Sequence, residues 1–337
     1  MTSQTTTRIV SRCLDACRAL VIVGGVLLAT TSSAMAQAWP QRPIKIIVPV
    51  TAGGVVDLTA RLLVPALSRQ LGQPVIVENR PGADQVIGTS AVARSPGDGY
   101  TWLLATSSSL TNVPLIKRVN YHPLKDFAPV SLIGYVSQAL LVPPGLGVRS
   151  LEEFVALARS KPGALSYAHS GDGTVGQLNA FLLTHAAHID VQPIAYKGAS
   201  AALGDLMTNR VNLAFIPSAS AAPQVKAGQL LALGVVGKGR SAILPETPTL
   251  AELGYPSVNL IGWIGVLMSA GTPATVVERA HAALSAALID ADTKARLAEL
   301  DVSVQASASP GAFTRQIANE VAAMPALFKA ANITSEK

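Results

Sequence analysis

The stretch Ile44-Lys45-Ile46-Ile47-Val48-Pro49-Val50-Thr51-Ala52-Gly53-Gly54-Val55-Val56-Asp57 passes from one periodicity to another. Its opening, from Ile44 to Val50, is β-branched and almost wholly apolar, which reads as a short buried strand. The glycine pair Gly53-Gly54 stops it. A helix is then expected to start near Asp57, with Leu58, Leu62, Leu63 and Leu67 on one face. Pro65 lies inside that pattern and is expected to kink the helix or displace its start, because proline lacks an N–H and crowds the preceding turn.

The same strand-then-helix grammar continues outward. Strands are read at Val75-Ile76-Val77, at Thr101 to Ala105 and at Gln138 to Val142. The second half repeats it: helix Leu151 to Ser160, strand Leu165 to Ala168, helix Gln177 to Ala187, strand Val191 to Ala195, helix Ala199 to Thr208, strand Leu213 to Ile216. Strands at Leu230 to Val236 and Ile261 to Met268 precede a mainly helical tail from Pro273. Strands alternating with helices predict an α/β protein with mostly parallel sheets. Beyond the leader about 300 residues remain, more than one core usually organises, and no low-complexity linker divides them, so two lobes with chain crossing between them are expected.

The leader is read from Arg8, Arg12 and Arg18, which precede an apolar run from Ala19 to Ala29 closing in Ala34-Met35-Ala36. A positive flank, a short apolar core and a small-x-small exit describe a secretory signal peptide, residues 1–36, cut after Ala36. The run is about half of the ~20 residues a spanning helix requires. Both cysteines, Cys13 and Cys17, fall inside the leader, so the mature chain is expected to fold without a thiol, a disulfide or a cysteine metal ligand. The formal charge of +6 becomes +4 once Arg8, Arg12, Arg18 and Asp15 are removed. That excess is spread along the chain with no basic run of the kind a nucleic acid would need.

In parallel α/β sheets ligands bind at the carboxyl ends of strands, where the following helix N-termini favour anions. Four loops are therefore candidates. Thr51-Ala52-Gly53-Gly54 leads to Asp57, which could cap the helix or accept from a ligand donor. His169-Ser170-Gly171-Asp172-Gly173-Thr174-Val175-Gly176-Gln177 is glycine-rich with hydroxyls but lacks the Gly-Lys-Ser/Thr ending of a P-loop. A carboxylate cradle of backbone amides with Ser170, Gly171, Gly173 and Thr174 fits it better. Thr106-Ser107-Ser108-Ser109 adds hydroxyl donors after a strand, and Tyr196-Lys197-Gly198 could present a phenol and an ammonium.

Catalytic and metal patterns are missing from the sequence. No Gly-x-Ser-x-Gly elbow and no His-Glu-x-x-His occurs, and His185 with His188 has no third ligand near in sequence. No cofactor is implied.

Several segments together resemble the extracytoplasmic receptors of tripartite tricarboxylate transporters, the Bug-type solute-binding proteins. They include Trp39-Pro40-Gln41-Arg42-Pro43, Gly53-Gly54-Val55-Val56-Asp57, Val77-Glu78-Asn79-Arg80-Pro81-Gly82-Ala83, Asp98-Gly99-Tyr100-Thr101 and Asp126-Phe127-Ala128-Pro129-Val130. Leu244-Pro245-Glu246-Thr247-Pro248-Thr249 and Ala270-Gly271-Thr272-Pro273-Ala274 continue the match in order. The resemblance implies a type II periplasmic-binding-protein fold, with two α/β lobes around a central cleft. Residues 37–140 and 262–337 would form lobe one and residues 141–261 lobe two. It implies a monomeric periplasmic receptor, not an enzyme, that delivers a small mono- or dicarboxylate to integral-membrane transporter subunits. Two other functions stay open: a sensory co-receptor for a membrane signalling protein, and a periplasmic enzyme on the same scaffold. The chain departs from the family pattern at Asp84-Gln85-Val86, commonly Gly-Gly-Asn, at Gln177, often His, and at Ile216, often Asp. Asp84 in the cleft would repel a carboxylate, so it is expected to turn away or to face a ligand that carries a donor.

Overall fold

The computed structural model describes residues 39–196 and 198–330, and the leader with Cys13 and Cys17 lies outside them. The opening strand β1 (Ile44–Val48) is followed by helix α1 (Val55–Leu71). α1 starts at Val55 and runs through Pro65, so the proline does not displace its start. Its inward face is Val55, Ala60, Leu63 and Leu67, whereas Leu58 is exposed. Of the expected stripe Leu63 and Leu67 are buried, Leu62 is half-buried and Leu58 faces outward.

The chain continues with β2 (Val75–Asn79), α2 (Val86–Ala93), β3 (Thr101–Thr106), a π-helical turn at Ser108–Asn112, the single turn α3 (Val113–Ile116) and β4 (Phe127–Val136). After Ser137 alone, β5 (Gln138–Val142) enters a second sheet. There follow α4 (Leu151–Ser160), β6 (Leu165–His169), α5 (Val175–Ala187), β7 (Val191–Ala195), α6 (Ala199–Met207), β8 (Leu213–Pro217), α7 (Ser218–Lys226) and β9 (Leu231–Val236). β10 (Gly262–Ser269) returns to the first sheet, and α8 (Ala274–Ile289), α9 (Ala291–Glu299), β11 (Val302–Val304) and α10 (Pro310–Ala330) complete it.

The first sheet has the order β11-β4-β10-β3-β1-β2 and the second β7-β6-β8-β5-β9. Both belong to one packing unit that begins at Arg42. The sheets are mixed, which corrects the expectation of mostly parallel pairing. β1 pairs in parallel with β2 and β3, and β6 with β7 and β8, but β10 runs antiparallel to β3 and β4. β5 likewise runs antiparallel to β8 and β9. The physical reason is the double crossing. β5 and β10 are the strands by which the chain arrives from the other sheet, and each inserts against the local direction. The expected lobe boundary between residues 140 and 141 falls inside β5, whose first residue is Gln138.

Each sheet has its own core. Trp263 and Phe313 meet edge to face at 5.3 Å beside the first, while Phe154, Leu140, Leu183 and Leu213 fill one side of the second. A third cluster joins them: Ile116 of α3, Leu178 of α5 and Phe328 of α10 are all buried against one another. Asn179 of α5 adds two hydrogen bonds to the backbone of Leu260, just before β10.

Candidate functional site

A cavity of about 620 Å³ is lined from both sheets, by the carboxyl ends of their strands and the helix starts that follow. In its first wall, Thr51, Gly54, Val55 and Val56 line the cavity, but Ala52, Gly53 and Asp57 do not. Asp57 is buried, and its carboxylate accepts from Gly53 N–H at 2.9 Å, Arg61 Nε at 3.0 Å and Asn79 Nδ2 at 2.9 Å. Burial alone would raise its pKa, yet these donors outweigh it and hold the carboxyl below its ordinary value. Asp57 is therefore the anchor of this turn, and the Gly53 amide is already spoken for. A Cβ on Gly53 would meet nothing within 4 Å, so its glycine serves the left-handed φ of 87° and not a close approach.

The second loop puts Ser170, Thr174, Val175 and Gly176 on the wall, with Gly171 and Gly173 behind them. Thr174 Oγ1 donates to the Gly171 carbonyl at 2.8 Å and accepts from Gln177 N–H at 3.5 Å, closing the turn and capping α5. Gln177 Oε1 accepts the Gly173 N–H at 2.7 Å. Gly176 is required sterically, because a Cβ there would stand 2.5 Å from the Phe215 carbonyl oxygen. This lack of a side chain lets the start of α5 lie against β8.

Ser107 and Ser108 line the cavity where β3 passes into the π-helical turn, a local device frequent at functional sites. Ser107 is 6 % exposed and its Oγ has no hydrogen-bond partner. The position a Cβ would take on Gly262 lies 3.7 Å from Ser107 Oγ and 3.1 Å from Val175 Cγ2, so the orphan hydroxyl and the start of α5 share one corner.

From Gly82 to Gln85 the backbone is left-handed throughout, with φ of 121°, 46°, 50° and 77°. Side chains in that region cost about 1–2 kcal/mol per residue, and two anchors hold them there. Asp84 Oδ2 accepts from Lys117 Nζ at 2.5 Å, and Gln85 Oε1 accepts from Thr106 Oγ1 at 2.8 Å. The Asp84 charge is thus met by Lys117 inside the protein. Lys117 Nζ also lies 3.6 Å from Asp172, and Asn112 Nδ2 donates to the Gly173 carbonyl at 2.9 Å. These contacts fasten loops of the two sheets together along one side of the cavity.

Tyr196 contributes its ring to the wall, but its hydroxyl donates to Asp205 at 2.8 Å; burial first and Asp205 second raise its pKa. Lys197 lies outside the described residues. Sequence reasoning missed Gln138 and Ser220, and named Gln85 and His169 only as members of candidate segments; all four are on the wall. Ser220 follows the carboxyl end of β8, so the strand-end rule could have found it; Gln138 opens a crossover strand, which that rule does not cover. The His185 ring stacks on Phe181, and His188 ends α5 in a left-handed conformation.

Four helices of nine or more residues, α1, α5, α6 and α7, begin at this cavity. The first N–H groups of a helix have no intrahelical partner, and the helix dipole favours negative charge there. Among the described residues the wall carries no lysine or arginine and one carboxylate, Asp84. The arrangement can hold an anion through neutral donors. No group of three or more metal-ligating side chains occurs among the described residues, and no helix among them is long and apolar enough to cross a membrane.

Residues 59–333 match the family described as "Tripartite tricarboxylate transporter family receptor". Protein BugT of Bordetella pertussis is 36 % identical over 263 residues, 77 % of this chain and 81 % of that one. The structure of the periplasmic binding protein BugD is similar with a TM-score of 0.81 at 29 % identity, covering 88 % of this chain and 100 % of the other. An R. palustris protein solved with adipate reaches a TM-score of 0.83 at 32 % identity, over 88 % of this chain and 99 % of its own. The fold is accordingly that of the two-lobed α/β periplasmic binding proteins.

Proposed function

Because the chain belongs to the tripartite tricarboxylate transporter receptor family, we propose that it captures a small mono- or dicarboxylate in the cavity between its two sheets and hands it to membrane transporter subunits. The observation that carries this reading is the convergence of four helix N-termini on a cavity without a described basic side chain. Such a site neutralises an anion by dipoles and hydroxyls, so the ligand is bound without being chemically activated. Among the described residues of the wall no nucleophile is hydrogen-bonded to a base, which supports a receptor over an enzyme. The two sheets act as lobes that close about Ser137 and the segment before Gly262, and the fastened loops at Asp84, Lys117 and Asp172 belong to the closed form. The leader of residues 1–36 is cleaved on export, and the mature protein works as a monomer in the periplasm.

A thermal-shift screen on purified protein, unfolded and refolded to strip bound solute, tests the reading. A carboxylate at 100 times its Kd adds about 2.7 kcal/mol, a shift of about 4 °C for a folded chain of roughly 300 residues. Shifts confined to sugars or cations would refute it.

A further inference from the structure

The chemistry of the cavity says more about the ligand than that it carries a carboxylate. We propose that this receptor selects a monocarboxylate with a sizeable apolar body, and that a second carboxylate on the ligand weakens binding. The inference rests on the carboxylate reading above and narrows it.

Three observations converge. At about 620 Å³ the cavity falls in the middle of the range of roughly 300–1,000 Å³ that encloses ligands of drug size. Beside the hydroxyls and the polar groups of Asp84, Gln85, Gln138 and His169, the wall carries a hydrocarbon stretch: Val113, Val136 and Ile264 from the first sheet's side, with Ala202, Phe215 and Ile216 from the second. A ligand gains there only by presenting apolar surface of its own, because those groups offer no hydrogen bond to a polar one.

The second observation locates one anion subsite. Ser107 Oγ is buried, without a partner, and placed beside the start of α5, where the N–H groups of Val175 and Gly176 are free of intrahelical bonds. A hydroxyl left unsatisfied in a buried corner is costly unless a ligand atom completes it. One carboxylate, one oxygen on Ser107 and the other toward the helix start, satisfies that corner.

The third observation concerns the rest of the wall. Its only carboxylate among the described residues is Asp84, held by Lys117, whose ammonium also faces Asp172. The acid is neutralised within the protein, and no described cation on the wall is left to receive a second anionic group. A second carboxylate set against Val136, Phe215 and Ile216 would lose its hydration with no lysine or arginine among the described wall residues to compensate.

Titration calorimetry on the stripped protein with straight-chain acids tests this. From propanoate to hexanoate the affinity is expected to rise about fourfold per added methylene, with an increasingly negative heat-capacity change. Hexanoate is expected to bind at least tenfold more tightly than adipate, which has the same carbon count and differs only in its second carboxylate. Ser107→Ala is expected to weaken hexanoate by about twofold to tenfold and to leave the increment per methylene unchanged. Adipate binding as tightly as hexanoate, or a flat series, overturns the inference and leaves the carboxylate reading standing. Hexanamide binding as well as hexanoate overturns that reading too, since the amide keeps the apolar body and removes the charge.

Discussion

The two glycine-rich turns that follow β1 and β6 look alike in sequence and do different work in the fold. The Thr51–Asp57 turn folds back on itself: Asp57 gathers the Gly53 amide, Arg61 and Asn79, and its own wall contribution reduces to Thr51 and the start of α1. The Ser170–Gln177 turn is also closed locally, by Gln177 on the Gly173 amide and Thr174 on the Gly171 carbonyl, but it reaches further. Its polar groups cap α5 and reach across to Asn112 and Lys117 near the other sheet, and its helix start borders the orphan hydroxyl of Ser107. The lesson is that glycine marks where a backbone turns, while the bonds already made decide which donors remain for a ligand.

The strongest way to break this contrast is Asp57→Ala. Losing a buried acceptor of several donors should cost about 1.5–3 kcal/mol in urea unfolding. The sign with pH follows from a folded-state pKa held below the ordinary 3.8. The stabilisation is present above that value and disappears as pH falls through the folded pKa. The variant should therefore differ most from the parent at neutral pH and converge with it in acid. An undiminished gap in acid would mean that Asp57 acts by packing and not by charge.

Next comes a pair. Gly176→Ala drives a Cβ into the Phe215 carbonyl and should cost about 1–3 kcal/mol while weakening ligand binding, because it shifts the start of α5. Gly53→Ala meets no atom and should cost about 1–2 kcal/mol of backbone strain with binding unchanged. Equal binding losses in the two variants would erase the distinction between the turns. A smaller effect is expected of Lys117→Met, which removes the cation between Asp84 and Asp172. For a partly exposed pair, about 0.2–1 kcal/mol, at most about a fivefold loss of affinity, is expected. That loss should shrink at high salt, and titrations at two ionic strengths would check it.

Much of this architecture was legible in the sequence because β-branched runs and helical spacing repeat so regularly. The bounds expected for β5, α4 and β7 match the structure, and those for β1, β6, α6 and β8 differ from it by two residues or fewer at either end. The sheets' mixed pairing was not legible, since direction depends on where β5 and β10 insert and no local pattern records that. β4 carries no plain strand signal, because Pro129 near its start interrupts the pattern, although the strand runs for ten residues. At the candidate site, the rule of strand ends led to loops that border the cavity, and of the expected residues Thr51, Gly54, Asp84, Ser107, Ser108, Ser170, Thr174 and Tyr196 line it. Their roles could not be read, because the commitments of Asp57 to Asn79, of Tyr196 to Asp205 and of Asp84 to Lys117 are tertiary.

The most direct test of the central claim is a crystal structure of the protein with a bound carboxylate. The account predicts the carboxylate within hydrogen-bond distance of Ser107 Oγ and the Val175 and Gly176 amides, with no lysine or arginine side chain touching it. A carboxylate paired to a basic side chain, or seated away from the start of α5, would contradict it.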